Sequence, residues 1–497
     1  MAETTVDSLA PGPAAPVAAE RSSLAPLRLR DQLVFSTGDA VLGLKDTAVG
    51  AFLLFYLTAV CGMPGTLAGF ALFLSLMIDA FADPFIGYLS DSTRSRFGRR
   101  HPYMVLSAVP HLIAFGLLFS APALASGWGL FAYVLAVLVV LRLAHSFFSL
   151  PYAALSAEIS RDYRERSMLG AFRSFTYFVG VLAAVVLGYN VYMGGEGGLL
   201  DRRAYAAFGW TCAALALAVM VVCAFGTWRL RHRMHHVVQT QRPDLRGFGR
   251  EMGDVIRSRS FLILFFTILV FWTSQGAHAS LTLHAYKYFW ELPASAMSII
   301  PISGSMGLAT GIPVAMLLLA RFEKGPVCNG ALAVFCVLQF TPVTLRMMGV
   351  LTEPGPLLYG VLNTAALLSG WTMACVTISF GAMMADTADE HELLFGSRRE
   401  ALYFSGLIFS VKAAVGIGAF LGGVMLDVIG FPRNIADLGP NPTLPEGLVT
   451  NLGLIYGPGA AVISAAAVLI LVGYRIDARR HAAIMEELAQ RKAAAGA

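Results

Sequence analysis

The chain has 497 residues, of which 57% are hydrophobic and only 13% charged, with a formal net charge of +5 and a mean hydropathy of +0.66. Soluble domains carry about 25% charged residues, so a water-covered globular surface is excluded, and the long apolar runs exclude a β-barrel built from short alternating strands. The positive charge lies in short clusters between apolar runs, which argues against nucleic acid as a partner and for a lipid bilayer as the solvent.

Residues 1–30 are Ala/Pro/Ser-rich without an apolar centre and read as a disordered tail, not a cleaved signal. Twelve apolar runs follow, each near the roughly 20 helical residues that span ~30 Å of hydrocarbon. The expected spans are 32–61, 66–90, 103–122, 128–157, 169–193 and 204–228, then 260–289, 296–320, 327–348, 355–385, 402–428 and 452–474. A basic linker at 229–259 divides them into an N-terminal half (31–228) and a C-terminal half (260–474), and 475–497 form a second tail. The fold class is therefore an all-α membrane protein of twelve helices. Of the 36 Lys and Arg residues, 27 fall on the segments that share a side with both termini, which predicts that both ends are cytoplasmic. No glycosylation sequon is present, which suits a bacterial inner membrane.

The two halves echo one another. The charged segment Ala157-Glu158 through Arg166 after the fourth span corresponds to Ala385-Asp386 through Glu392, closing with Arg398-Arg399, after the tenth. Such duplication is common in transporters, which place substrate and ion near the midplane where the repeats meet.

Charges inside the spans are the candidate functional groups, because each costs about 2.5–3.5 kcal/mol at the membrane centre. Asp79 and Asp83 stand four apart on one face of the second helix, where a proton, a cation or a basic side chain must neutralise them. Lys45 and Asp46 lie mid-span in the first helix, Arg173 early in the fifth and Lys412 in the eleventh. Asp39 reads as interfacial. His278, His284, Arg142 and His145 are weaker candidates, read as hydrogen-bonded packing groups with a cavity-lining role as the alternative, while Tyr152, Trp272 and Trp371 are aromatics that either stack on a sugar or only pack and mark interfaces. Gly307 with Gly311, and Gly418 with Gly422, are small-residue pairs expected at close helix contacts. The six cysteines form no metal-ligand pattern, and no phosphate-cradling loop or hydrolase motif is present, so neither ATP-driven nor enzymatic chemistry is expected and no cofactor is implied.

The run Asp79-Ala-Phe-Ala-Asp83-Pro84, followed by Gly87 and by Asp91-Ser-Thr-Arg94-Ser-Arg96-Phe-Gly98-Arg99-Arg100-His-Pro102, resembles the glycoside–pentoside–hexuronide cation symporters, the melibiose-permease-like branch of the major facilitator superfamily. Asp386-Thr-Ala-Asp389-Glu-His-Glu392 with Arg398 and Arg399, Lys45-Asp46 and Lys412 also fall where that family has them. The resemblance implies the major facilitator fold and symport of a sugar or glycoside with H+ or Na+ by alternating access. It implies a cation site at Asp79 and Asp83, with Ser146 able to add a hydroxyl, and sugar contacts at Asp46, Lys45 and Arg173. It further implies coupling through Lys412 and gating by Asp91, Arg94, Arg96, Gly98, Arg99 and Arg100 and by Asp386, Asp389, Glu392, Arg398 and Arg399. No obligate protein partner is implied. Three positions depart from the family pattern. Ser149 replaces an acid before Pro151, Ala153 replaces an aromatic beside Tyr152, and Ala82 offers no oxygen next to Asp83. The sugar contacts through Ser149 and Tyr152 should therefore differ, and the lost oxygen weighs toward H+. A lysolipid or other amphiphile is the alternative cargo on the same fold.

Overall fold

A computed structural model describes residues 27–495 except 94, 96, 123–126, 161, 196, 231–252, 254, 397–399 and 440–441. Among these residues all regular structure is helical. Among the described residues eleven helices are long and apolar enough to cross a membrane. They are α2 (Gly65–Ser92), α3 (His101–Leu118), α4 (Trp128–Ile159), α5 (Arg164–Tyr192), α6 (Arg202–Trp228), α7 (Arg259–Phe289), α8 (Ala294–Arg321), α9 (Lys324–Met347), α10 (Pro356–Phe395), α11 (Glu400–Val428) and α12 (Glu446–Leu471). The twelfth rod is α1, residues 29–60, which breaks at Thr37 and widens into π-helical turns from Ala48 onward. A further helix, α13 (Ala478–Ala495), follows the last rod.

α5 and α12 begin earlier than expected, at Arg164 and Glu446 against 169 and 452, and two further differences from the sequence reading share one reason. α10 continues ten residues past the expected end at 385, through Asp386 and Asp389 to Phe395, and caps on Gly396 at φ +77°. The expected tail after 474 forms α13, which docks on that extension. Ile484 and Leu488 bury against Leu393 and Ile476, and Lys492 pairs with Glu392 at 2.9 Å. Charges that read as a loop are thus a helix neutralised by another helix.

Small residues let helices meet backbone to backbone. A Cβ on Gly307 would stand 2.1 Å from the Leu367 carbonyl oxygen across the α8–α10 contact, and one on Gly418 would stand 2.2 Å from that of Thr273 across α7–α11, as the small-residue spacing predicts. The tightest approach joins the halves. On α2 and α11, Gly65 and Gly423 face each other so closely that a Cβ on either would lie 2.3 or 2.0 Å from the other's carbonyl oxygen.

This seam lies at the end of the molecule away from α13. There Asp427 accepts hydrogen bonds from the Gly65 and Thr66 amides at 3.0 and 2.8 Å, meeting the unpaired donors at the start of α2. Thr58 and His284 add a contact at 2.9 Å between α1 and α7. At the tail-bearing end, the ion pairs that hold Glu158 and Asp386 each stay within one half.

Candidate functional site

Asp79 and Asp83 lie one turn apart on α2, where Pro84 removes a backbone N–H and loosens the helix. Lys412 reaches across from α11. Its ammonium stands 2.7 Å from Asp79 Oδ2 and 2.5 Å from Asp83 Oδ2. Ser146 on α4 donates to Asp79 Oδ1 at 2.9 Å. Asp83 Oδ1 is buried without a hydrogen-bond partner among the described residues. Arg142 lies behind the pair, held by Ser75 at 2.9 Å, and adds its field to Asp79. The four residues read as cation site and coupling lysine therefore meet at one point, where the two halves touch at mid-depth.

Two carboxylates and one ammonium leave a formal charge of −1, partly offset by Arg142. The side-chain oxygens that could receive a small cation come from Asp79, Asp83 and Ser146, and Ala82 adds none. That is a short set for a metal ion that binds through oxygens, but a proton needs only one carboxylate.

The residues expected at the sugar separate into two places. Arg173 on α5 binds Asp39 on α1 through Nε and through Nη2 at 3.3 Å, and Tyr152 on α4 donates to Asp39 Oδ2 at 2.9 Å. The Arg173 guanidinium also lies 5.2 Å over the Tyr152 ring, and Phe35 and Phe148 stack on that ring. In this conformation Arg173 and Tyr152 are committed to Asp39, an acid that the sequence reading left at the interface. Ser149 is half-buried on α4 and hydrogen-bonds to neither cluster.

Asp46 lies elsewhere. Its carboxylate is 44% exposed and pairs with buried Lys45 at 3.1 Å. It borders a cavity of about 650 Å³ shared by the two halves, with Tyr177 from the first half and Trp272, Gln275, His278 and Gln339 from the second. His278 donates from Nδ1 to the Tyr456 carbonyl at 3.0 Å and stacks on its ring, so it is both a packed histidine and a cavity wall. His284 is fully buried and packs at the far-end contact with Thr58.

The residues read from the sequence as gating lie in matching clusters. In the first half Arg99 and Arg100 bind Glu158, Arg100 also pairs with Asp91 at 2.9 Å, and Gly98 turns the loop at φ +88°. In the second half Lys324 binds both oxygens of Asp386, at 2.8 and 2.6 Å, while His481 reaches Asp389 at 3.2 Å. Arg94, Arg96, Arg398 and Arg399 lie outside the described residues. Glu158, Lys324 and His481 were not singled out from the sequence. The alignment of Ala157-Glu158 with Ala385-Asp386 was the signal that pointed to Glu158.

Twelve rods in two echoing halves, charges meeting at mid-depth and paired basic–acidic clusters at one end describe a transporter. A sequence profile described as "MFS/sugar transport protein" matches residues 34–478. The chain belongs to this family. As a member it is an integral membrane transporter and not an enzyme. The chain is 24% identical to a putative glycoside/cation symporter of Escherichia coli over 95% of this chain and 97% of that one. It is also 24% identical to the isoprimeverose transporter of Lactiplantibacillus pentosus, over 82% and 81%. An inward-open structure of the xylose transporter XylE from E. coli superposes with a TM-score of 0.60, at 13% identity, over 90% of this transporter and 96% of that chain. That likeness supports the fold of the transporter.

Proposed function

We propose that this transporter carries a sugar or glycoside in symport with a cation, using Asp79 and Asp83 as the cation site and the cavity beside Asp46 as the substrate site. The observation that carries the reading is the Lys412 bridge, because it ties the charge of the acid pair to the contact between the halves. With both acids ionised, Lys412 holds α11 against α2. A proton or monovalent cation taken up by the pair removes the need for that bridge and frees α11 to move relative to α2. Sugar held across both halves then draws them together, so each ligand favours the other by a coupling typically about 1–3 kcal/mol. The oxygen set favours H+ over Na+. The concentration of Lys and Arg on the tail-bearing side supports placing both termini in the cytoplasm. Relatives named as symporters of glycosides, and one named as an inner membrane symporter of E. coli, support a bacterial inner membrane.

The test is glycoside uptake into inside-right vesicles under an imposed pH or Na+ gradient. Asp83→Ala is expected to lose accumulation while keeping, at most, counterflow exchange. Accumulation by this variant equal to the parent's would end the proposal.

A further inference from the structure

The charges of the acid pair and of the cavity edge belong to one network, and Arg142 joins its two ends. From α1 through α11 the network takes in Asp46, Asp79 and Asp83 and, against them, Lys45, Arg142 and Lys412, three negative charges and three positive. Lys45 pairs with Asp46 at 3.1 Å at the edge of the cavity. Lys412 bridges Asp79 and Asp83. Arg142 answers to both groups, because Asp79 of α2 and Asp46 of α1 each act on its guanidinium.

Sequence spacing fixes where Arg142 sits. Ser75 and Asp79 stand one turn apart on α2, and Arg142 and Ser146 one turn apart on α4. The two helices therefore meet in successive rungs, Arg142 Nε donating to Ser75 Oγ at 2.9 Å and Ser146 Oγ donating to Asp79 Oδ1 at 2.9 Å. The Ser75 rung engages Nε alone. Arg142 is half-buried, and neither of its Nη groups has a hydrogen-bond partner among the described residues. The other titratable groups around it are His145 on α4, His111 on α3 and Lys45 on α1, and none of them is an anion.

A guanidinium anchored at one nitrogen and free at the other two has a choice of acids. With the pair ionised, Asp79 and Asp46 share its pull. A proton or monovalent cation at the pair cancels the share of Asp79, and the guanidinium is left to Asp46. Braced by Arg142 as well as by Lys45, the Asp46 carboxylate is held in one orientation, and its remaining lone pairs accept ligand hydroxyls at a lower ordering cost.

We infer that Arg142 is the positioning residue that carries cation occupancy at Asp79 and Asp83 to Asp46, so that cation and glycoside tighten each other through it. The inference rests on the acid pair being the cation site and the cavity being the substrate site.

The experiment measures the dissociation constants of p-nitrophenyl glucosides, galactosides and xylosides on the purified full-length transporter, in alkaline Na+-free buffer and at saturating H+ or Na+. The parent is expected to bind about 5- to 150-fold more tightly at saturation, the usual range of such coupling. Arg142→Gln should cut that gain to about twofold or less. Arg142→Lys, which keeps the charge but loses the planar fork, should restore part of it. By reciprocity, glycoside should strengthen cation binding by the same factor in the parent and hardly at all in Arg142→Gln. A static counterion behaves otherwise. Its loss shifts the cation concentration needed for saturation and leaves the gain at saturation intact, and that result overturns the inference while the wider proposal survives. If Arg142→Gln does not fold, Ser75→Ala, which releases the guanidinium from its rung and removes no charge, should reduce the gain severalfold. An unchanged gain in Ser75→Ala then overturns the inference. A parent that binds no glycoside, or binds one equally well with and without H+ or Na+, ends the wider proposal and the inference with it.

Discussion

Gly423→Ala tests how the two halves close. A Cβ at this position would stand 2.0 Å from the Gly65 carbonyl oxygen and 2.8 Å from its carbon. Carbon–oxygen contacts between packed backbones run at about 3.3 Å, so α2 and α11 must part by roughly 1.3 Å at that point. The obstacle is backbone on both sides, and no rotamer change relieves it. Overpacking of this kind costs about 1–3 kcal/mol. The penalty falls only on conformations in which the seam is closed, so the population should shift roughly 5- to 150-fold toward conformations in which it is parted. Spin labels at Gly195, where a Cβ meets nothing within 4 Å, and at Leu438, 67% exposed, would report the distance across that end. Gly360→Ala, another α-helical glycine with open space around it, is the matched control. Gly423→Ala should move the distance distribution outward while Gly360→Ala leaves it in place. An unchanged distribution in folded Gly423→Ala would refute the claim that glycine contact permits closure.

Three further outcomes follow from the charge clusters. Lys412→Gln strands two carboxylates in a partly buried site, and breaking such a pair costs about 3–5 kcal/mol. The melting temperature should fall, and the double variant Lys412→Gln/Asp83→Asn should recover most of the loss; no recovery would mean that Lys412 acts through packing alone. Glu158→Gln removes the charge-assisted bonds to Arg99 and Arg100, each worth about 1.5–3 kcal/mol, so thermal denaturation should begin earlier while glycoside affinity holds. Loss of affinity would tie the cluster to the cavity and contradict its placement at the tail-bearing end. Deleting residues 478–497 uncovers Leu393 and the α10 extension. Hydrogen exchange should then rise over 386–395 and stay unchanged near Asp79, and uniform protection throughout would deny that α13 holds α10 in place.

The sequence made some of these features plain because physics leaves them few alternatives. Acids four apart in an apolar run must share a face and find a neutraliser, and the lysine that does so stands out as a charge in another apolar run. Ser146 was legible from its place one turn before Ser149. The Asp39–Arg173–Tyr152 cluster was not, because an acid near a helix end resembles an interfacial one until three helices are packed together. α13 left a faint trace in Ile484 and Leu488, four apart. Without knowledge that α10 extends to meet them, that spacing is too short to separate a docked helix from a solvated tail.

The length of α10 has a mechanical consequence. One unbroken rod of 40 residues passes the cavity wall at Ser369 and Met373 and ends at the carboxylates that grip α13. From Ser369 to Asp389 the rise is about 30 Å. Each degree of tilt about the cavity therefore displaces the gripped end by about 0.5 Å. α13 rides on that lever like a pointer, and a dye on exposed Gln490 would turn a small movement at the substrate into a distance read outside the bilayer.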